Sequence, residues 1–157
     1  MLLRNLNLKL VYKFINMADS TLKIKIRTIT WKQFEKDIVK VANNLPKLNY
    51  KKLVCITSGG LIPAYYFSKL LGIHNIETLN MQSYKDKKRG KISVYGNPKV
   101  DKSKDILLVD DLIDSGETLK CAKKYYPNAQ VATLYNSATI RKSAYWIVFP
   151  YEKTFNF

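Results

Sequence analysis

A short run of acidic and hydroxyl residues follows the most apolar strand-like segment of the chain. Residues 106–109 are all aliphatic, Asp110 and Asp111 come next, and the loop 114–118 reads Asp-Ser-Gly-Glu-Thr before a helical pattern begins. Ligands of open α/β sheets bind at the carboxyl ends of strands, and backbone amides at a helix start attract anions. Gly116 lets the backbone approach such an anion closely. The pattern therefore predicts that loop 114–118 binds a phosphate, with its two hydroxyl side chains as donors.

The adjacent carboxylates of Asp110 and Asp111 would face whatever is attached to that phosphate. Ionised carboxylates accept hydrogen bonds from sugar hydroxyls, and they also suit Mg²⁺, which prefers oxygen ligands and keeps several waters. An acid pair at a strand end also occurs in response-regulator receivers, but there it lies at the first strand. Here the pair follows about 100 residues of chain and stands beside a phosphate loop. That context disfavours a receiver.

Apolar periodicity and turn residues predict the elements that must position these groups. Thr30 and Gln33 form a capping-box pattern, and apolar residues then recur at helical spacing until Pro46. The other predicted helices are 63–71, with Gly72 as C-cap, and 117–126, and the predicted strands are 52–57, 75–84, 105–110, 130–135 and 145–149. Strands that alternate with helices indicate an α/β fold: a mostly parallel twisted sheet flanked by helices on both faces.

The segment 85–104 breaks this pattern. It carries eight basic residues, two acids, two glycines and a proline, without a regular apolar period. A connection of this length inside a compact domain is usually functional or mobile. We expect a mobile loop that closes over a bound ligand, and the alternative is a solvated run of charge.

Composition limits the class of protein. The 157 residues are 46% hydrophobic and 25% charged, which is ordinary for one globular domain and excludes long disorder. Cys55 is expected as a small buried hydrophobe, and Cys121 lies in a helical pattern, so no disulfide scaffold is predicted. This cysteine usage fits a reduced, cytoplasmic compartment. Trp31 and Trp146 are expected in the core.

The net charge of +15 is unusual, and it has three interpretations. Only four of the 27 basic residues are arginine, the usual residue for recognising base edges, and the lysines are spread along the chain. A lysine-rich proteome would explain the charge. A small polyanionic substrate, whose capture the field would speed, is a second explanation, and nucleic acid is a third.

Residues 1–26 are expected to be an N-terminal extension, followed by one domain over 27–157. The first residues alternate leucine with basic residues, and no acid precedes Asp19. That composition resembles an organellar transit peptide without its serine and arginine richness. Met17 is an alternative start.

The segment 106–118 resembles the thirteen-residue phosphoribosyl-pyrophosphate (PRPP) signature of type I phosphoribosyltransferases. The signature reads four apolar residues, two acids, two residues, Asp or Ala, Thr or Ser, Gly, any residue and Thr, and every position is met. The chain is similar above all to bacterial xanthine–guanine phosphoribosyltransferase, over about residues 29–155. The further matching segments are the first helix entry at 29–34, the pyrophosphate loop at 57–63, the helix end at 71–73, the lead into the mobile loop at 82–84, and the pair 126–127.

The resemblance implies a role for each matching residue. Asp110 and Asp111 would bind the ribose hydroxyls, with Asp111 also on Mg²⁺, and Asp114 would lie near N7 of a purine and help to handle its proton. Residues 114–118 would hold the 5′-phosphate. The PRPP-binding residues implied are Ser58, Gly59, Arg89, Asp110, Asp111, Asp114, Ser115, Gly116, Glu117 and Thr118, and the base-binding residues are Asp114, Ser137 and Tyr151, the last by stacking.

Two positions depart from the family pattern. The xanthine–guanine enzymes have arginine where this chain has Ser58, and the lost cation is expected to weaken the grip on pyrophosphate. Purine members carry a lysine at the position of Ser137, and a hydroxyl offers only short neutral hydrogen bonds there. Arg141 or Lys142 could substitute for it.

The resemblance implies a PRPP-dependent purine phosphoribosyltransferase of nucleotide salvage, a pentosyltransferase with Mg²⁺ as cofactor, PRPP and a nucleobase as partners, and a homo-oligomeric state. The alternative is a PRPP-sensing regulatory or nucleic-acid-binding protein on the same fold, since a fold does not fix a function.

Overall fold

The structure is a computed structural model that describes residues 25–84, 91–136 and 145–152. Within these residues the chain alternates strands and helices. The elements are β1 (Lys25–Thr28), α1 (Trp31–Asn44), β2 (Lys52–Thr57), α2 (Leu61–Leu71), β3 (Ile76–Tyr84), β4 (Lys91–Val94), β5 (Ile106–Ile113), α3 (Glu117–Ala122), β6 (Gln130–Asn136), β7 (Tyr145–Val148) and a short 3-10 helix (Pro150–Glu152). β1 begins just before the boundary expected at residue 27.

A five-stranded sheet with the order β4-β3-β2-β5-β6 forms the centre of the fold. Its neighbours are parallel except for β4, which runs antiparallel to β3. β1 and β7 pair in parallel as a separate two-stranded sheet. The predicted class, a mostly parallel α/β sheet with flanking helices, is confirmed.

Strand β5 is buried on both faces and divides the core into two layers. Leu107 and Val109 pack with residues of α1 and α2 on one face. Leu108 packs with residues of β3 and with Ala122 of α3 on the other. Side chains of a strand alternate between its faces, and helices cover both faces here, so the segment reads as a continuous apolar run.

Helix α1 begins as predicted, although two details differ. The hydroxyl of Thr30 accepts a hydrogen bond from the backbone amide of Gln33 at 3.2 Å, but the Gln33 side chain donates to Asp37 and not back to the cap. Trp31 is 47% exposed, so the prediction that it lies in the core was wrong. It is the first helical residue, and Phe34, one turn on, takes the core position beneath it, with the rings edge to face at 5.8 Å.

The segment 85–104 was expected to lack regular structure, but part of it forms a strand. Residues 91–94 form β4, which pairs with the end of β3 so that Met81 faces Val94. Ile92 and Val94, spaced as a strand requires, pack against the core layer of α3. The expected loop therefore contains a strand, and 85–90 lies outside the described residues.

An ion cluster fixes the chain after β4 to the amino end of the sheet. The Lys52 ammonium lies 2.8 Å from a Glu77 carboxylate oxygen and 3.1 Å from one of Asp101. Hydrogen bonds from the hydroxyl and amide of Ser103, with Lys52 beside them, lower the pKa of Asp101 to about 2. None of the helices in the described ranges could cross a bilayer.

Candidate functional site

The two acids of the signature lie inside β5, although the strand was expected to end at Asp110. The strand continues to Ile113 because β6 continues to pair with it, with Asp110 opposite Thr133 and Ile113 opposite Asn136. Consecutive residues of a strand point to opposite faces. Asp111 therefore lies on the face of α1 and α2, and Asp110 on the face of α3.

Asp111 is a buried carboxylate with defined neighbours. The residue is 1% exposed, and its Oδ2 accepts a hydrogen bond from the hydroxyl of Tyr151 at 3.3 Å. A Cβ built on Gly59 would lie 2.6 Å from its Oδ1, so only glycine fits at that position without moving the carboxylate. Burying an ionised group is costly unless it is hydrogen-bonded. The carboxylate is thus held between the loop after β2 and the turn after β7.

Asp110 is half-buried and more open to solvent than Asp111. Its Oδ1 accepts a hydrogen bond from the backbone amide of Asp111 at 2.9 Å. Burial, and secondarily the charge of Asp110, raise the pKa of the Cys55 thiol to about 12. Cys55 is therefore a protonated core residue at neutral pH, as its sequence context indicated.

The loop between β5 and α3 contains Asp114, Ser115 and Gly116, and the last two signature residues, Glu117 and Thr118, begin α3. Gly116 has φ +81°, a conformation that side chains other than glycine rarely adopt, and it caps α3. The hydroxyl of Ser115 accepts a long hydrogen bond from the amide of Glu117 at 3.4 Å. Asp114 and Ser115 are exposed. The helix ends at Ala122, earlier than predicted, and a turn continues to Tyr125.

The loop Ser58-Gly59-Gly60 joins β2 to α2 and lies directly against β5. The Thr57–Ser58 peptide is cis. A Cβ on Gly60 would lie 2.4 Å from the carbonyl oxygen of Val109 and 2.7 Å from that of Ile56, so the backbone of the loop packs on backbone. Because β2 and β5 are parallel neighbours, this loop and the loop 114–116 after β5 meet at the carboxyl ends of the two strands.

A row of neutral polar groups that sequence reasoning missed continues from this loop along β3. Thr57 donates a hydrogen bond to the side-chain oxygen of Asn80 at 3.2 Å, and the Tyr95 hydroxyl donates to that of Gln82 at 2.9 Å. Asn80 and Gln82 are exposed. The only signal in the sequence is their spacing by two residues, which places them on one face of the strand.

Tyr151 lies in an aromatic cluster. Its ring stacks on Phe149 at 5.2 Å, meets Phe34 edge to face at 5.6 Å and lies 6.3 Å from Trp31. One ring face is therefore covered by a fully buried phenylalanine. The hydroxyl contact with Asp111 has no local signature in the sequence, because the two residues are distant in the chain.

Other predicted site residues lie outside the described ranges. These are Arg89 and Ser137, together with the possible substitutes Arg141 and Lys142. In the three described ranges no group of three or more His, Cys, Asp or Glu side chains could hold a metal ion. The acid pair of β5 could still share Mg²⁺ with a ligand, since Mg²⁺ usually takes one or two protein carboxylates together with phosphate oxygens and water.

Comparisons with known proteins agree with this arrangement. Residues 19–149 match the family model described as "Phosphoribosyl transferase domain". The chain is 32% identical over 142 residues to xanthine-guanine phosphoribosyltransferase of Cereibacter sphaeroides. The aligned region covers 79% of this chain and 85% of that protein.

Two solved structures show the same fold. Purine phosphoribosyltransferase of Pyrococcus horikoshii matches with a TM-score of 0.62 at 23% identity, over 85% of this chain and 97% of the other. Helicobacter pylori xanthine-guanine-hypoxanthine phosphoribosyltransferase matches with a TM-score of 0.61 at 20% identity, over 81% and 94%.

Proposed function

Since the chain belongs to the phosphoribosyltransferase family, we propose that it transfers the 5-phosphoribosyl group of PRPP to a ring nitrogen of a purine. The bond from C1 of the ribose to pyrophosphate breaks, a bond from C1 to the base nitrogen forms, and pyrophosphate leaves. The proposal also covers a role in purine salvage in the cytoplasm, Mg²⁺ as cofactor and a homo-oligomeric state.

One observation carries this proposal. The complete signature 106–118 runs from β5 through the following loop into the start of α3, and the loop 58–60 of the neighbouring strand packs against β5, with Gly59 next to Asp111. A 5′-phosphate at residues 114–118 and a pyrophosphate at Ser58 and Gly59 would therefore lie on either side of the pentose. This matches the order of groups along PRPP.

The residues of the chain have separate tasks in this mechanism. Asp110 and Asp111 hold the pentose hydroxyls, and Asp111 would also hold Mg²⁺, which would supply positive charge against the leaving pyrophosphate. The transition state has oxocarbenium character, so stabilising the leaving anion is the largest contribution of the protein. Backbone amides near Ser58 and Gly59, with Arg89, supply that contribution.

Asp114 is the residue that we assign to the base. It is exposed at the mouth of the signature loop, and its negative charge disfavours direct contact with the phosphate. It accepts a hydrogen bond from the N7 side of the purine and helps to take the proton that the base releases. Tyr151 and Ser137 complete the base-binding set carried over from the resemblance.

The test is a panel of hypoxanthine, guanine, xanthine, adenine, uracil and orotate incubated with PRPP and Mg²⁺. Pyrophosphate release with one or more of the purines supports the proposal, and release with the pyrimidines alone contradicts the purine assignment. The relative rates with the 6-oxopurines hypoxanthine, guanine and xanthine measure how well the chain uses these bases with Ser137 in place of the lysine of the family.

A sensor without turnover is the second candidate, favoured by Ser58 and by the charge of +15. PRPP binding without pyrophosphate release would support it. Strongly salt-dependent binding of nucleic acid would add the nucleic-acid form of this candidate.

A further inference from the structure

The turn after β7 carries an aromatic side chain whose hydroxyl, and not only its ring, reaches the site. Tyr151 donates its hydroxyl hydrogen to Oδ2 of Asp111 at 3.3 Å. Asp111 is 1% exposed. Solvent therefore has little access to the carboxylate, and protein groups decide where its oxygens point.

The ring of Tyr151 is itself fixed on more than one side. Phe149 stacks under it with an interplanar angle of 8°, and Phe34 meets it edge to face at 81°. The turn is closed by Glu152, whose side chain accepts a hydrogen bond from the Phe149 amide at 2.9 Å. Because these contacts restrict the ring, they also restrict the position of its hydroxyl. The hydroxyl can therefore orient the Asp111 carboxylate that accepts its hydrogen bond.

The backbone of Gly59 is a second group that lies close to the carboxylate. Gly59 stands so close that a Cβ there would lie 2.6 Å from Oδ1 and 2.9 Å from Oδ2 of Asp111. Rotation about the terminal bond of an aspartate is otherwise broad. The closeness of Gly59 and the hydrogen bond from the Tyr151 hydroxyl both limit this rotation.

We infer that Tyr151 is a positioning residue for Asp111: its hydroxyl holds the buried carboxylate in the orientation that meets the pentose and Mg²⁺ of PRPP. The inference rests on the proposed function and goes beyond it, because the resemblance assigns Tyr151 to the base alone. It makes the turn after β7 part of the PRPP subsite. Substitutions in that turn then affect PRPP as well as the purine.

The substitution Tyr151→Phe separates the two roles, because it keeps the ring and removes the hydroxyl. The matched control is Tyr66→Phe. The Tyr66 hydroxyl also donates to a carboxylate at 3.3 Å, that of Glu35, and its ring also meets Phe34 edge to face, but Glu35 is exposed on α1. Thermal unfolding of both variants establishes that they are folded.

Calorimetric titration with PRPP and Mg²⁺, without base, measures the predicted effect directly. A hydrogen bond to a charged group changes affinity by about tenfold, so Tyr151→Phe should raise the Kd for PRPP by about that factor. The KM for the preferred purine should stay within about twofold, and Tyr66→Phe should change neither value. In an Asp111→Asn background the effect of Tyr151→Phe on PRPP affinity should disappear, because the positioned carboxylate is gone.

Three results would overturn the inference while leaving the proposed function intact. They are an unchanged PRPP affinity in Tyr151→Phe, a raised purine KM alone, and an equal loss of PRPP affinity with and without Asp111→Asn. The wild-type titration tests the proposed function separately. A wild-type chain that binds no PRPP would overturn that function, and this inference with it.

Discussion

The Cα of Gly59 faces the carboxylate of Asp111 so closely that a Cβ would lie 2.6 Å from Oδ1. Gly59 was assigned to pyrophosphate through its amide, and the structure adds that its lack of a side chain makes room for an acid of the PRPP signature. Gly59→Ala is expected to displace the carboxylate and weaken PRPP binding by roughly tenfold or more.

Gly60→Ala is the matched comparison. Its Cβ would lie 2.4 Å and 2.7 Å from carbonyl oxygens of Val109 and Ile56, which are backbone atoms and cannot move aside. We expect Gly60→Ala to lower the free energy of unfolding by about 1–3 kcal/mol, because overpacking strains a core by that amount. Denaturant unfolding and PRPP titration of both variants measure the contrast. Equal destabilisation by the two substitutions would contradict this account of Gly59.

Gly116→Asn is expected to spare the fold and impair the site. Gly116 has φ +81°, which asparagine tolerates better than other residues, and a Cβ there would meet no other atom within 4 Å. The new side chain would occupy the space through which a phosphate approaches the loop amides. Gly116→Val would obstruct the phosphate in the same way and would also strain the backbone, so this variant should be less stable than Gly116→Asn. PRPP affinity and the thermal midpoint of both variants are the measurements. An unchanged PRPP affinity in folded Gly116→Asn would contradict the assignment of the phosphate to this loop.

Asp114→Asn is expected to lower turnover by about 10²–10⁴ with little change in PRPP affinity. The substitution keeps the shape of the side chain and removes its capacity to accept a proton, and general acid–base help is worth about that factor. Steady-state rates and PRPP titration are the two measurements. A parallel fall in affinity would mean that Asp114 serves the phosphate loop instead of the base.

Ser58→Arg is expected to strengthen product inhibition by pyrophosphate by about tenfold. Ser58 is exposed beside Gly59, and a guanidinium there would form charge-assisted hydrogen bonds with the anion. Asn49→Arg adds the same charge in the exposed segment before β2, at the other end of that strand, and should leave the inhibition constant unchanged. Equal tightening by both substitutions would indicate a general effect of net charge.

Asp101→Asn is expected to reduce stability at neutral pH, and its effect should fade in acid. The folded pKa of Asp101 is about 2, below the ordinary 3.8, so ionised Asp101 stabilises the fold above about pH 4, and this contribution is lost as the pH falls towards 2. The side chain is 30% exposed, so the loss at pH 7 should not exceed about 1 kcal/mol. Asp105→Asn removes a looser pair, at 3.9 Å from Lys51, and is the control. Urea unfolding from pH 7 to pH 2 measures both, and a constant difference for Asp101→Asn would contradict the linkage.

Local patterns predicted most of the elements. The strand 52–57 has the predicted bounds, and α2 ends at Gly72 with the left-handed φ of +67° that its position indicated. Hydrophobic runs, caps and turn glycines act through neighbouring residues, so one sequence contains them. The resemblance assigned loops 58–60 and 114–118 to the same substrate, and the structure places them at the carboxyl ends of two paired parallel strands, which meet at one end of the sheet.

Most of the features that sequence reasoning missed depend on partners far away in the chain. β4 is different: it pairs with the end of the nearby β3, but it has only four residues, too few for its apolar alternation to stand out. The pairing of β1 with β7 joins the two ends of the described chain. The extension of β5 through its acids depends on pairing with β6, and the contact of Tyr151 with Asp111 depends on the turn after β7. None of these distant partners leaves a local signal.

The backbone contact between Gly60 and Val109 has a consequence for ligand choice. Gly60 brings the backbone of the loop after β2 against the backbone at the end of β5, so we expect the distance between paired strands, about 4.8 Å, and the loops themselves to set the separation of the two expected anion sites. Substitutions of side chains elsewhere should then not widen that separation. We therefore expect compounds to be selected by the distance between their own anionic groups, and a sugar with a single phosphate to engage only one of the two loops.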